Sequence, residues 1–230
     1  MRLGILSNTE ITSRSAIKGV VDDILHINKD CDVLVVAGNF AERPHVSLGL
    51  LKLSFEKPVI YVPGPLELDG TRRDVNEWLT DIQARRLQTN HSVMVLHNSV
   101  DYHDMTVFIG ASLCLDPNKI APVYKYKEPY NSKEWCAVSK QMHDDAVDFL
   151  QESIRPSGIV VSYYPPIKEV LPLNILGTEL TTILSANISF DEHPRLWICS
   201  APEAIDVDID STRYVANPYN QRMTSKIVVV

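Results

Sequence analysis

Short, wholly apolar runs alternate with stretches in which apolar residues return every three or four positions. RLGIL (2–6) predicts a first strand, followed by the polar turn SNTE. Ile17, Val20, Val21, Ile24 and Leu25 then mark one face of a helix. DVLVVAG (32–38) has no polar alternation, which suits a strand buried on both faces. Pro44 to Phe55 predicts a helix and PVIYV (58–62) a third buried strand. A helix over about 71–87 turns Val75, Trp78, Leu79 and Ile82 inward. VMVLH (93–97) and TVFIGASL (106–113) then read as consecutive strands.

A Lys-, Tyr- and Pro-rich loop fills 116–131. The longest helix is predicted over about 132–154, with Trp135, Val138, Met142, Phe149 and Leu150 at helical spacing. GIVVSYYPP (158–166) is a strand that ends in a proline-stiffened turn. A helix near 177–188 and a run of closing strands from RLWICS (195–200) complete the chain. Alternating strands and helices that give way to strands predict two sheets packed together under outer helices.

Composition narrows the class. A chain of 230 residues, 45% hydrophobic, can bury a sizeable core. No apolar run approaches the ~18 residues that span a bilayer, and MRLGILSN lacks the pattern of a signal peptide. Both point to a soluble cytoplasmic protein. The net charge of −7 disfavours a broad nucleic-acid face, though not a local basic patch. Cys31, Cys114, Cys136 and Cys199 form no CxxC pair and read as buried thiols. Cys199 has no histidine in its motif to make it a nucleophile.

Five predicted strand ends stand where α/β sheets gather their ligands. They are LSNTE (6–10), AGNFAE (37–42), VPGPLE (62–67), VSYYPP (161–166) and ICSAPE (198–203). In order and spacing they resemble the turns of the calcineurin-like metallophosphoesterases, which usually read D-x-H, G-D-x-x-[AD], G-N-H-[ED], a T-H-H-x-P type turn, and G-H-x-H. The flanking ILS, DVLVVAG, PVIYVPG, LTTILSAN, PRLWI and Asn217-Pro218 agree as well. The resemblance covers nearly the whole chain. It implies one domain over 1–230, a four-layer α-β-β-α sandwich with two mixed sheets flanked by helices.

It also implies a reaction, in which a metal-bound hydroxide attacks a phosphate ester in line between two divalent ions ~4 Å apart. Carried over residue by residue, the ligand set for that reaction is missing. Asn8 stands at the first aspartate, Glu10 at the first histidine, and Asn39 at the bridging aspartate. Pro65 and Leu66 replace the asparagine ligand and the histidine beside it, and Tyr163 replaces the fourth turn's histidine. Ala201 and Glu203 stand at the last two histidines, with Ser200 in place of the glycine. Two asparagines keep the aspartate shape without the repulsion of two unpaired carboxylates. Leu66 and Ala201 cannot ligate a metal.

The expectation is therefore a catalytically inactive member of that family, with no metal and no cofactor, acting as a protein-binding scaffold or regulator. Two alternatives remain open. One is a hydrolase with a weak oxygen-rich Mg²⁺ or Ca²⁺ site around Glu10, Glu67 and Glu203. The other is a nucleotide or phosphate sensor in the old cleft, for which Arg43 is the nearest motif cation. None of the seven histidines falls on a ligand position, and His97 and His103 read as solvated. The candidate partner surface is 118–135, where Tyr124, Tyr126, Tyr130 and Trp135 interleave with Lys119, Lys125, Lys127 and Lys133. The same pattern could stack single-stranded nucleic acid, or the tyrosines could simply cover the helix behind them. Arg72-Arg73 and Arg85-Arg86 read as solvated helix ends.

Overall fold

The computed structural model describes residues 1–11, 14–41, 44–54, 57–69, 93–219 and 226–230. The helix expected over 71–87, its arginine pairs and Arg43 lie outside the described residues.

The apolar runs form two mixed sheets. The first contains β1 (Arg2–Ser7), β2 (Val33–Ala37), β3 (Val59–Val62), β4 (Val93–Val95) and, far along the chain, β11 (Lys226–Val229). Its order is β11-β1-β2-β3-β4, with β11 antiparallel to β1 and the others parallel. The second contains β5 (Ser99–His103), β6 (Thr106–Ala111), β7 (Ile159–Ser162), β8 (Leu196–Ile198), β9 (Ile205–Ile209) and β10 (Thr212–Ala216). Its order is β5-β6-β7-β8-β10-β9, parallel in the middle and antiparallel at both margins.

Alternation within each strand divides the core into three slabs. Leu3, Ile5, Val33, Val35 and Ile60 of the first sheet meet Phe108, Ile159, Val161, Leu196 and Val215 of the second. Leu34, Val36, Val59 and Tyr61 face the other way, onto α1 (Arg14–Asn28) and α2 (Pro44–Ser54). Ile109, Val160, Trp197 and Tyr214 face α4 (Lys133–Ser153) through Ala146 and Leu150. The architecture is the expected α-β-β-α sandwich. β2 reads as a continuous apolar run because both of its faces are covered.

Several sequence expectations need correction. The buried stripe of α1 is Val20, Ile24 and Ile27, while Leu25 is exposed. On α4 the buried positions are Ser139, Met142, His143, Ala146 and Leu150, and Val138 is exposed. His143 belongs there because its Nδ1 pairs with the Cys114 carbonyl at 2.7 Å. The helix expected near 177–188 is a single turn, α5 (Thr181–Leu184). Past it, the N–H groups of Ala186 and Ile188 are drawn into bonds with the Pro165 and Pro166 carbonyls, which extends the chain. β5 was hidden because SVDYH is a polar, partly exposed margin strand with no apolar run.

Candidate functional site

The parallel strands carry their following turns to one end of the sandwich, and the turns are cross-linked there by hydrogen bonds. After β1, Asn8 N–H reaches the Gly38 carbonyl (3.3 Å), and Glu10 N–H reaches the Asn39 carbonyl (2.8 Å). Thr9 Oγ1 donates to the Phe40 carbonyl at 2.6 Å. Asn217 ties in the end of β10: its carbonyl accepts from Ser7 N–H and its Nδ2 donates to the Ile5 carbonyl. Ser200 N–H, after β8, donates to the Tyr163 carbonyl at 2.8 Å.

Asn8, Glu10 and Asn39 all sit at positive φ (51°, 47° and 49°), and Gly38 at 69°. Asparagine tolerates this left-handed region better than most residues, because its short polar side chain bonds locally. Two glycines are required by close approach. A Cβ on Gly38 would lie 2.3 Å from the Tyr163 ring, and one on Gly64 would lie 2.6 Å from Asn39 Oδ1. The tyrosine ring therefore rests directly on the second and third turns.

Asn39 is the centre of this contact and is buried. Its Nδ2 donates to the Tyr163 hydroxyl at 2.7 Å, and its Oδ1 accepts from Leu66 N–H at 2.9 Å. Both ends of the amide are thus committed, one across the sheet boundary and one to the third turn. Burial raises the Tyr163 hydroxyl pKa, and the charges of Glu10 and Glu67 raise it further, so it stays a neutral phenol. The Tyr163 ring fills space against the two glycines, and its hydroxyl is a specific partner of Asn39.

Glu67, in α3 (Pro65–Asp69), is fully buried. Its carboxylate accepts from the N–H groups of Asn39 (3.0 Å), Phe40 (2.6 Å), Ala41 (3.3 Å) and Gly64 (2.9 Å). Glu10 and Glu203 are exposed. The weak oxygen-rich site weighed for Glu10, Glu67 and Glu203 is not assembled, because backbone donors draw Glu67 inward while the other two face solvent. Pro65 and Leu66 are half-buried, and Ala201 is buried. Ser7 Oγ and Asn8 Oδ1 are enclosed with no hydrogen-bond partner among the described residues. Also among the described residues, no three His, Cys, Asp or Glu side chains converge as metal ligands.

His97, read as solvated, is instead half-buried, with Nδ1 3.1 Å from Ser112 Oγ. Burial lowers its pKa to about 4. The sequence held a clue, since His97 directly follows the apolar run of β4. Cys199 is buried and its thiol is pushed up to about 12, the opposite of an activated nucleophile.

The 116–131 loop contains a short 3₁₀ turn, Pro117–Lys119, capped by Asp116. Tyr124, Tyr130 and Trp135 form an edge-on ladder with centroid distances of 6.5 and 5.1 Å, and Lys127 Nζ lies 5.1 Å from the Tyr124 ring centre. Tyr130 is half-buried rather than an exposed tip, and it lies within electrostatic range of Tyr163. Tyr126, by contrast, is 85% exposed, and Lys125 and Lys127 are exposed beside it.

Known structures share the fold. A phosphopantetheinyl hydrolase (PptH) from Mycobacterium tuberculosis is similar over 94% of this chain and 88% of its own, with 15% identity and a TM-score of 0.66. A protein of Thermus thermophilus matches 94% of this chain and 88% of its own, with 15% identity and a TM-score of 0.56. A dimetal phosphatase from Danio rerio matches 95% and 87%, with 9% identity and a TM-score of 0.54. The chain shares the fold of these structures. No protein-family model matches the sequence, and no curated protein matches it. The five turns stand at the end of the sandwich where its parallel strands finish. No helix among the described residues is long and apolar enough to cross a membrane.

Proposed function

We propose that this chain is one phosphoesterase-type domain that has lost hydrolysis and works by binding a protein partner. The observation that carries the reading is the double commitment of Asn39. At the position where the resemblance puts a metal-bridging aspartate stands a neutral amide, with Nδ2 bonded to Tyr163 and Oδ1 to Leu66 N–H. The remaining positions supply Asn8, Pro65, Leu66, Tyr163, Ala201 and two exposed glutamates, Glu10 and Glu203. Such a donor set does not fit two divalent cations that share a carboxylate and are held by imidazoles. Glu67 does not repair it, because its oxygens accept backbone N–H groups. Without those ligands the chain lacks the groups that would generate a nucleophile or stabilise phosphoryl charge.

For the partner surface, the reading rests on Tyr126, Lys125 and Lys127, which are exposed on a loop that also carries the edge-on contacts of Tyr124, Tyr130 and Trp135. Ring contacts that order the loop around an exposed aromatic lower the ordering cost of binding. The test has two arms. Purified protein with Mn²⁺ is assayed against phosphomonoesters, phosphodiesters and cyclic nucleotides. Turnover that co-purifies with the protein and vanishes in Asn8→Ala/Asn39→Ala would refute the loss of hydrolysis. Affinity for a partner recovered from the native source is then compared with that of Tyr124→Ala/Tyr126→Ala. A loss of at least ~2 kcal/mol is expected for anchor residues. Unchanged affinity would move the surface elsewhere.

A further inference from the structure

The second turn holds an anion cradle that its own chain fills. Gly38 and Asn39 at positive φ bring the consecutive N–H groups of Asn39, Phe40 and Ala41 to bear on one spot. Consecutive N–H groups of this kind form a concavity that favours an anion. Gly64 N–H closes it from the third turn. The occupant is the Glu67 carboxylate: Oε1 accepts from Phe40, Ala41 and Ser47 Oγ (3.5 Å), and Oε2 accepts from Asn39 and Gly64. These partners are neutral donors and each contact has a Glu67 oxygen as acceptor. Burial pushes the Glu67 pKa up, while the Gly64 N–H, the Tyr61 hydroxyl and the Phe40 N–H pull it back. The buried Tyr61 hydroxyl sits beside this cluster, near Ser47 and Glu67, with no hydrogen bond of good geometry among the described residues.

We infer that these two turns make a carboxylate-binding site with Glu67 as its built-in ligand, and that this ligand holds the second and third turns together. The site suits a carboxylate rather than a phosphate. Its donors come in two sets, one for each oxygen of a planar group, and no Lys or Arg among these contacts would balance a dianion. While Glu67 is seated, the cradle is closed to anions from solution, so a phosphate or nucleotide would have to be held by other groups. The inference is independent of whether the domain hydrolyses anything.

Truncating the ligand should empty the cradle and let a small carboxylate replace it. Melting temperature is measured for wild type, Glu67→Ala and the core truncation Val35→Ala, in sodium formate and in sodium chloride at matched ionic strength. Glu67→Ala should melt at least ~5 °C below wild type. Formate, unlike chloride, should recover part of that loss in a concentration-dependent way. Neither wild type nor Val35→Ala should respond to formate. A formate effect common to all three proteins, or no formate-specific recovery in Glu67→Ala, overturns the site. Should Glu67→Ala not yield folded protein, Glu67→Gln fills the same volume but turns an NH₂ group onto N–H donors. It should melt below wild type and ignore formate; if it melts like wild type, the inference fails.

Discussion

The turn cluster around Asn39 and the loop around Tyr126 are both polar on the page of the sequence, yet physically they are opposites. In the cluster, side-chain amide, phenol and carboxylate are committed to specific partners on neighbouring turns. In the loop, Tyr126 and the flanking lysines extend to solvent above a packed aromatic ladder. Buried polar groups stabilise only when satisfied, and losing one partner leaves the other exposed to the full desolvation cost. Exposed groups on an anchored loop can change at little cost to the fold. Stability should therefore be sensitive in the first region and indifferent in the second, while recognition should show the reverse.

The sharpest way to break that contrast is Gly38→Ala. The added methyl meets the Tyr163 ring at 2.3 Å, and the residue must also hold φ of 69°. Overpacking and left-handed backbone together should cost about 3 kcal/mol. In a Tyr163→Ala background the main clash is gone and mostly the backbone term remains. Denaturant melts of both singles and the double should therefore show the Gly38→Ala cost falling by at least ~1 kcal/mol. If the two changes are additive, the tyrosine is not seated on the turn.

The locked end also makes a pH prediction. His97, beyond β4, meets Ser112, beyond β6, so this contact joins the two sheets at the same end as the turns. Burial holds the folded imidazole at about 4, below the ~6.5 of an unfolded chain. Between those values the unfolded state binds more protons, so stability falls as pH drops from ~6.5 toward 4. Allowing for partial exposure of the ring, the loss should be on the order of 1–2 kcal/mol. Subtracting the pH profile of His97→Asn from that of wild type isolates this contribution. A difference that stays flat between pH 7 and 4.5 would mean the histidine titrates freely, as the sequence alone implied.

How much of this was legible depended on which physical signal was local. The buried strands β1, β2 and β3 announce themselves through unbroken apolar runs, and the five turns follow from where those runs end. α5 was overread because the apolar spacing of 177–188 resembles a helix, whereas bonds to the Pro165 and Pro166 carbonyls extend its second half. That the five turns contain no histidine or aspartate could be read directly. The partners that Asn39, Tyr163 and Glu67 find could not. Asn39 and Tyr163 lie 124 residues apart in the chain, and no periodicity relates them. The sequence offers Glu67 only as a member of an oxygen-rich cation site, since nothing in its neighbours foretells four converging N–H donors.

The smallest expected effect separates two adjacent tyrosines. Tyr124 is half-buried, lies edge-on to Tyr130 and carries Lys127 above its ring, whereas Tyr126 is 85% exposed. Truncating Tyr124 removes an aromatic pair and a cation–π contact, so Tyr124→Ala should destabilise by about 1 kcal/mol. Truncating Tyr126 removes almost no buried area, and Tyr126→Ala should stay within about 0.5 kcal/mol of wild type. Chemical denaturation of the two single variants measures both. If Tyr126→Ala costs as much as Tyr124→Ala, the exposed tip is packed against something in solution. The loop would then be part of the fold's cover, and the contrast between a locked end and a free one would have to be redrawn around the turns alone.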